Sequence, residues 1–558
     1  MCPAPTAIDD GELRDVLALL LVDELEQITV SLGVKTGRRT RLALVRALLR
    51  LRVSGPQQGC LLQERVRGVL GGCVRVLAGP RELVVRALLS VAAWLPVPRD
   101  GNRLRAVRTI LLQDCPRLLV PEGLPGGHGP TQSMFHTRQQ LLDWQAVVNE
   151  RVALGKAIAG GKTTEVLTIS AEVLVQLRAH LESNNTTTPQ SRAIGGAMVE
   201  LLDAASEALA READVDAAAV TVLRVLLGQH ELVQERRAAW AVRLAALLQT
   251  RMLDYQGAAE LLVRELEDGG HRGSHRCRLE ERARTVLRGS KCAVGKGVRG
   301  ALEDTCARLQ ALLPDKDRPE FPTVTIRSSA CARSAPGMKR VYVSKPRGQA
   351  VEYLSVEERA MVHYADEYPR GADDEGETLL SLAVLALWKE VYDAEVSGAW
   401  GTPVQDRPLD WGTDSFWVAR HLTMEQRLQS MLRRAQDAGE EAGSRALAAD
   451  LSKAREARHG TPSLVRWDLL QGLDIEELLK CLTVPLFVAI CRRFFLDFCS
   501  YRQGFPDLLL WNPENGKSLF VEVKGPEDTL GPHQVKWLEF LRSHEAQVEI
   551  AIVQVRTE

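Results

Sequence analysis

None of the eleven cysteines forms a CxxC pair, and none stands at zinc-ligand spacing from a histidine. That argues against a zinc-bound module. Scattered thiols of this kind fit a reducing compartment better than a disulfide framework. No apolar run approaches the roughly 18 residues a membrane-crossing helix needs; the best begins at Leu379 and ends at Trp388. No secretory pattern of basic then apolar residues opens the sequence. Charge of one sign is also lacking, with a formal net charge of -1 over 558 residues. Nothing global therefore calls for a polyanionic partner, and any nucleic-acid surface must be a local basic patch. A soluble intracellular protein without a membrane partner is expected.

What is present is Leu, Ala, Val and Arg, with aromatics at only 5%. That composition predicts a mostly α protein, and the length predicts roughly two to four domains. Residues 12–53 read as short helices around a Gly-bearing turn. Between Ser31 and Val53 there are seven basic residues and no acidic one. This resembles a SAP-type DNA-binding module, with Lys35, Arg38, Arg39 and Arg41 as its phosphate contacts; an ordinary helix pair with a solvated basic face is the alternative. Residues 54–315 form a helical scaffold, irregular and TPR-like over about 145–315. There Trp240, Leu244, Ala245, Tyr255 and Ala258 fit one tetratricopeptide-like unit turning near Asp254. Residues 155–163 look like a phosphate-binding loop, but Lys156 stands where that motif needs glycine, so a helix-to-helix turn is expected. From 271 to 300 there are nine Lys and Arg against two acidic residues. Prolines at 314, 319 and 322 break the helices. Strands are then expected over Thr323–Ile326 and Arg340–Val343, and a polar exposed segment over Ala435–Gly460.

The chemistry concentrates near the C-terminus. Pro506-Asp507 is followed, fifteen residues after the aspartate, by Glu522-Val523-Lys524. Asn515-Gly516 lies between two apolar runs, a hairpin signal. Alternation along a strand puts Glu522 and Lys524 on one face and Val521 and Val523 on the other. Two carboxylates and an amine would then converge beside the start of the neighbouring strand. Burying that set without a cation is costly. Oxygen-only ligation points to Mg²⁺ or Mn²⁺, as one or two ions. The pattern is that of a metal-dependent phosphodiesterase, with Asp507, Glu522 and Lys524 as catalytic residues.

Gly504-Phe505-Pro506-Asp507, Val521 to Pro526 and Gln534-x-x-Trp537 together resemble the VRR-NUC branch of the PD-(D/E)xK nucleases. Ser355 to Glu358, Glu375-Gly376, Leu387-Trp388, Pro408 to Asp410 and Thr413 to Phe416 bring it nearer to the Fanconi-anaemia-associated nucleases. The resemblance implies a C-terminal α/β, restriction-endonuclease-like nuclease domain within 320–558, its VRR-NUC core at about 475–558. It implies metal ligation by Glu375, Asp507, Glu522 and the Val523 carbonyl, with Gln534 supporting the site from a helix. It also implies a grip on a 5′ phosphate by the helical part, for which Arg276, Arg278 and Arg282 are the candidates; a solvated basic helix is the alternative.

The expected function is structure-specific DNA nuclease: a 5′-flap endonuclease and 5′-to-3′ exonuclease in interstrand cross-link repair. Its partners would be branched or flapped DNA with a 5′ end and repair-complex proteins, in the nucleus of a eukaryote or the cytoplasm otherwise. The ubiquitin-binding zinc finger of the eukaryotic relatives has no Cys/His set here. A Holliday-junction resolvase-like nuclease and a catalytically silent DNA-binding scaffold are the competing readings.

Overall fold

The computed structural model describes residues 17, 20, 22–34, 41–53, 56–70, 135, 137–182, 189–230, 232–294, 301–314, 320–330, 342–344, 352–396, 399–400, 406–461, 463–526 and 528–555. Two compact units divide the chain at Pro116.

In the first unit, helices Val22–Ser31, Arg41–Val53 and Pro56–Leu70 bury Leu25, Ile28, Leu44, Leu48, Leu62 and Val66 in a small core of their own. Gly33, at φ 67°, ends the first helix. Its N–H bonds the Val30 carbonyl, and the Val34 N–H bonds that of Thr29, a glycine C-cap that satisfies the last carbonyls. Lys35, Arg38 and Arg39 lie outside the described residues, as does the side chain of Arg41.

The second unit begins with the helical scaffold. Helices Arg138–Ala159 and Thr163–Glu182 are joined at Gly160–Lys162, so the loop-like 155–163 motif is a helix-to-helix turn. Helices Arg237–Thr250 and Tyr255–Glu267 form the pair expected around Asp254, whose side chain caps the second by accepting the Gly257 N–H at 2.8 Å. Trp240, Leu244, Ala245 and Ala258 are buried between these helices and their neighbours. The buried Arg237 guanidinium makes two bonds of 2.9 Å to Glu265, which fixes one helix of the pair to the other.

The C-terminal region holds a seven-stranded sheet in the order β3-β2-β1-β7-β6-β5-β4. The strands are β1 Thr323–Ala330, β2 Tyr342–Ser344, β3 Glu352–Leu354, β4 Arg370–Asp373, β5 Leu508–Asn512, β6 Lys517–Lys524 and β7 Gln547–Val555. β7 is parallel to both β1 and β6, and β6-β5-β4 run antiparallel. The β5–β6 turn falls at the Asn-Gly step, as the sequence predicts. Both faces are covered, so the β6 run Leu519–Val523 is apolar apart from one residue. Leu508, Leu510, Val521 and Val523 pack with Ala360 and Tyr364 of helix Val356–Tyr364. On the opposite face Leu509, Phe520 and Val548 pack against helices Glu377–Ala386, Val484–Leu496 and Pro532–Ser543.

Ala435–Gly460 corrects an expectation. Instead of an exposed polar segment it contains helix Glu440–Arg458, which buries Leu447, Ala448 and Leu451. A narrow apolar stripe at i, i+4 spacing is enough to seat a helix of mostly polar composition.

Trp537 anchors the helix that closes the site. It is 1% exposed, packs on Phe494, Tyr501, Phe505 and Phe540, and donates its indole N–H to the Tyr501 carbonyl at 2.9 Å. Trp537→Ala is expected to cost about 3–5 kcal/mol, read as a lower urea midpoint for the unit containing the sheet.

Candidate active site

The β5–β6 register pairs Leu508 with Val521 and Leu509 with Phe520. Extended by one residue, it sets Asp507 opposite Glu522, on the face covered by helix Pro532–Ser543. Side chains opposite each other on an antiparallel pair lie about 4.5–5.5 Å apart at Cβ, so two carboxyls are forced together by the hairpin itself. Asp507 is held by the Val523 N–H, which donates to its Oδ2 at 2.7 Å.

Glu522 is fully buried. Its Oε1 accepts from the Lys524 amine at 2.8 Å and from the Gln534 amide. The Gln534 amide is oriented in turn by the Gly531 N–H, which donates to its Oε1 at 2.8 Å. The other carboxyl oxygen, Oε2, is buried without a hydrogen-bond partner. Burial, together with the like charge of Asp507, pushes the Glu522 carboxyl up to about 8, against the opposing pull of Lys524. Asp507 is likewise raised, chiefly by burial, with the Val523 N–H and Lys524 opposing and Glu357 and Glu375 adding to the rise.

Glu375 sits in the turn between β4 and helix Glu377–Ala386, with φ 49°, and Gly376 follows at φ 88°. A non-glycine residue in this left-handed region costs on the order of 1–3 kcal/mol. Gly376 is required twice over, because a Cβ there would meet the Phe505 ring at 2.7 Å. That contact seats the Glu375 turn against the segment carrying Asp507. Glu375 itself is exposed. Asp374 shapes the turn, accepting from the Gly376 and Thr378 N–H groups at 3.1 Å each.

Two further carboxylates border the site and were not singled out from the sequence. Asp373, at the end of β4, pairs across to Leu508, and Glu357 lies in the first turn of helix Val356–Tyr364. Partial burial and the neighbouring Glu357, Asp507, Asp374 and Glu358 push the Asp373 carboxyl up to about 6. The acidic run Asp373-Asp374-Glu375 ahead of an apolar helix was the available signal.

The donors suit a hard divalent cation. An unpartnered buried carboxylate oxygen, a second carboxylate facing it and oxygen atoms alone match Mg²⁺ or Mn²⁺ chemistry. The arrangement is open. Among the described residues no three His, Cys, Asp or Glu side chains close into a metal cage.

The three scaffold arginines do not converge. Arg276 bonds Glu280 at 3.0 Å and the Leu266 carbonyl, and Arg282 bonds Gln249 and the Ala245 carbonyl. Arg278 instead reaches across to Gln503, ahead of the β5 strand.

The VRR-NUC domain family matches residues 424–555. Residues 424–555 carry a VRR-NUC domain. Around it, 97% of the chain is similar to Fanconi-associated nuclease 1 of Homo sapiens, 28% identical over 573 residues and 53% of that protein. The Ailuropoda melanoleuca protein of the same name is 27% identical over 567 residues, again 53% of its length. The chain thus spans about half the length of these curated relatives. The chain also shares its fold with paFAN1 crystallised on DNA with a two-nucleotide 5′ flap and a gap. That likeness has a TM-score of 0.56 at 19% identity, covering 99% of this chain and 95% of the other.

If Glu522 takes a divalent ion, the ion displaces its proton, and affinity for Mn²⁺ is then expected to rise with pH through the range below about 8. Calorimetry at pH 7 in two buffers of different ionisation enthalpy should show about one proton released per ion. Glu522→Gln should abolish that release.

Proposed function

We propose that this chain is a structure-specific DNA nuclease that hydrolyses phosphodiester bonds beside 5′ flaps and trims 5′ to 3′, in the repair of interstrand cross-links. The observation that carries this reading is the fully buried Glu522, one oxygen held by Lys524 and Gln534 and the other left free opposite Asp507. The VRR-NUC match and relatives named as nucleases support the reaction class. The shared fold with a protein crystallised on 5′-flap DNA supports the substrate class.

In this reading Asp507, Glu522, Glu375 and the Val523 carbonyl hold one or two Mg²⁺ or Mn²⁺ ions. Such a cation supplies Lewis acidity and makes a nucleophile of water near neutral pH. Lys524 orients the attacking water and offsets charge growing on the phosphorane. Gln534 fixes the Glu522 rotamer, and the Val523 N–H fixes Asp507. Discrimination comes from backbone contacts and duplex bending, since no base-reading motif is present. The N-terminal basic helices, with Lys35, Arg38, Arg39 and Arg41, and Arg278 on the scaffold grip phosphates. Arg276 and Arg282 have protein partners and contribute to that grip only by exchanging them. Repair-complex proteins recruit the chain, in the nucleus where the cell is eukaryotic.

The test is cleavage of a labelled 5′ flap and a four-way junction in Mg²⁺ and Mn²⁺. Flap cutting that falls by about a hundred- to a thousand-fold in Asp507→Ala is expected. Junction-selective cutting would favour a resolvase. Binding without cutting of either substrate would favour a silent scaffold.

A further inference from the structure

Where the scaffold meets the nuclease region, helix Gly273–Val294 lies against residues 498–503 and helix Pro532–Ser543. His275 Nδ1 meets the Ser500 hydroxyl at 3.1 Å. Arg278, exposed on the same helix, donates to Gln503. The next residue, Gly504, has φ 87°, and a Cβ there would meet the His533 ring at 2.6 Å. From the other side a Cβ on Gly531 would meet the same ring at 2.7 Å. The imidazole is thus slotted between two glycines, directly before the Gln534 that holds Glu522.

His533 is half-buried and has no hydrogen-bond partner among the described residues. The charged groups bearing on it are Arg278 and Glu281 from the scaffold helix and Lys524 from β6. Burial, then Arg278 and Lys524, hold its pKa below the ordinary histidine range, with Glu281 opposing. The charges of Arg278 and Lys524 thus bear on an imidazole that has no hydrogen-bond partner among the described residues. An anion held by His533 and Arg278 would account for that arrangement.

We infer that His533 is a phosphate-binding residue on the seam between scaffold and nuclease, acting with Arg278 on a DNA phosphodiester next to the one cleaved. This rests on the nuclease reading above and adds to it a subsite shared by two parts of the chain. A phosphodiester there offsets the repulsion that Arg278 and Lys524 exert on His533 and favours its protonated form. Binding must then tighten as pH falls. Because Arg278 comes from the scaffold, a correctly seated scaffold completes the nuclease site.

The full chain is titrated with fluorescein-labelled 5′-flap DNA in EDTA, where cleavage is blocked, at pH 7.5 and 6.0. Wild type should bind about three- to ten-fold more tightly at the lower pH. His533→Gln, similar in size but not titrating, should lose most of that gain. In Mg²⁺ its defect should appear in KM more than in kcat. Arg278 is exposed, so Arg278→Ala leaves the fold intact and serves as the second variant. It should weaken binding and reduce the salt slope by about one. A folded His533→Gln with unchanged affinity and pH response overturns the inference, as does Arg278→Ala with an unchanged salt slope. A loss confined to kcat overturns it too, because it would mark the imidazole as packing for Gln534. If wild type cuts flaps while both variants bind normally, only this inference falls. If wild type neither binds nor cuts, the proposed function falls with it.

Discussion

Glu522 has one oxygen tied to Lys524 and Gln534, and the other points at nothing but a second acid. A fully buried carboxyl normally stays neutral or finds a cation. Here the surrounding fold allows neither a simple retreat to solvent nor a pairing on both oxygens. The hairpin register sets Asp507 opposite, and the sheet is covered on that face by helix Pro532–Ser543. The same helix supplies Gln534, so the element that buries the acid also orients it. The energetic conflict is local: without a cation the raised Glu522 carboxyl keeps its proton at neutral pH, and in the proposed function a divalent cation takes that proton's place.

Much of the molecule serves to keep that conflict in place. The aromatic group of Trp537, Phe494, Phe505 and Phe540 pins the closing helix. Gly376 presses its turn onto Phe505 and so couples the Glu375 turn to the segment delivering Asp507. Arg493 lies over Tyr501, Trp537 and Phe540 at 4.1–4.6 Å, a cation–π contact that stiffens the approach to Asp507. From the far side, the scaffold helix touches the same approach through Ser500 and Gln503.

The hairpin was legible because its information is local: an Asn-Gly turn, two apolar runs and alternation suffice to place Asp507, Glu522 and Lys524. The helix pair around Asp254 was legible for the same reason. Glu375 was not readable from spacing, since its nearness to Asp507 depends on β4 pairing with β5, and Arg370–Asp373 has no strand-like alternation. It came from resemblance to a family. Asp373 and Glu357 escaped notice because each looks like an ordinary acid at an element end until the register is known. Counting charge on residues 271–300 flagged three arginines alike. Whether an arginine faces outward depends on partners such as Glu280 and Gln249, which charge counting does not consider.

The most direct test of the account is anomalous diffraction from crystals soaked in Mn²⁺. The account predicts an ion bound by Glu522 Oε2 and Asp507, absent in Glu522→Gln crystals treated alike. A Mn²⁺-soaked wild-type crystal with no anomalous density there, and with Glu522 Oε2 bonded instead to a protein donor, would contradict it.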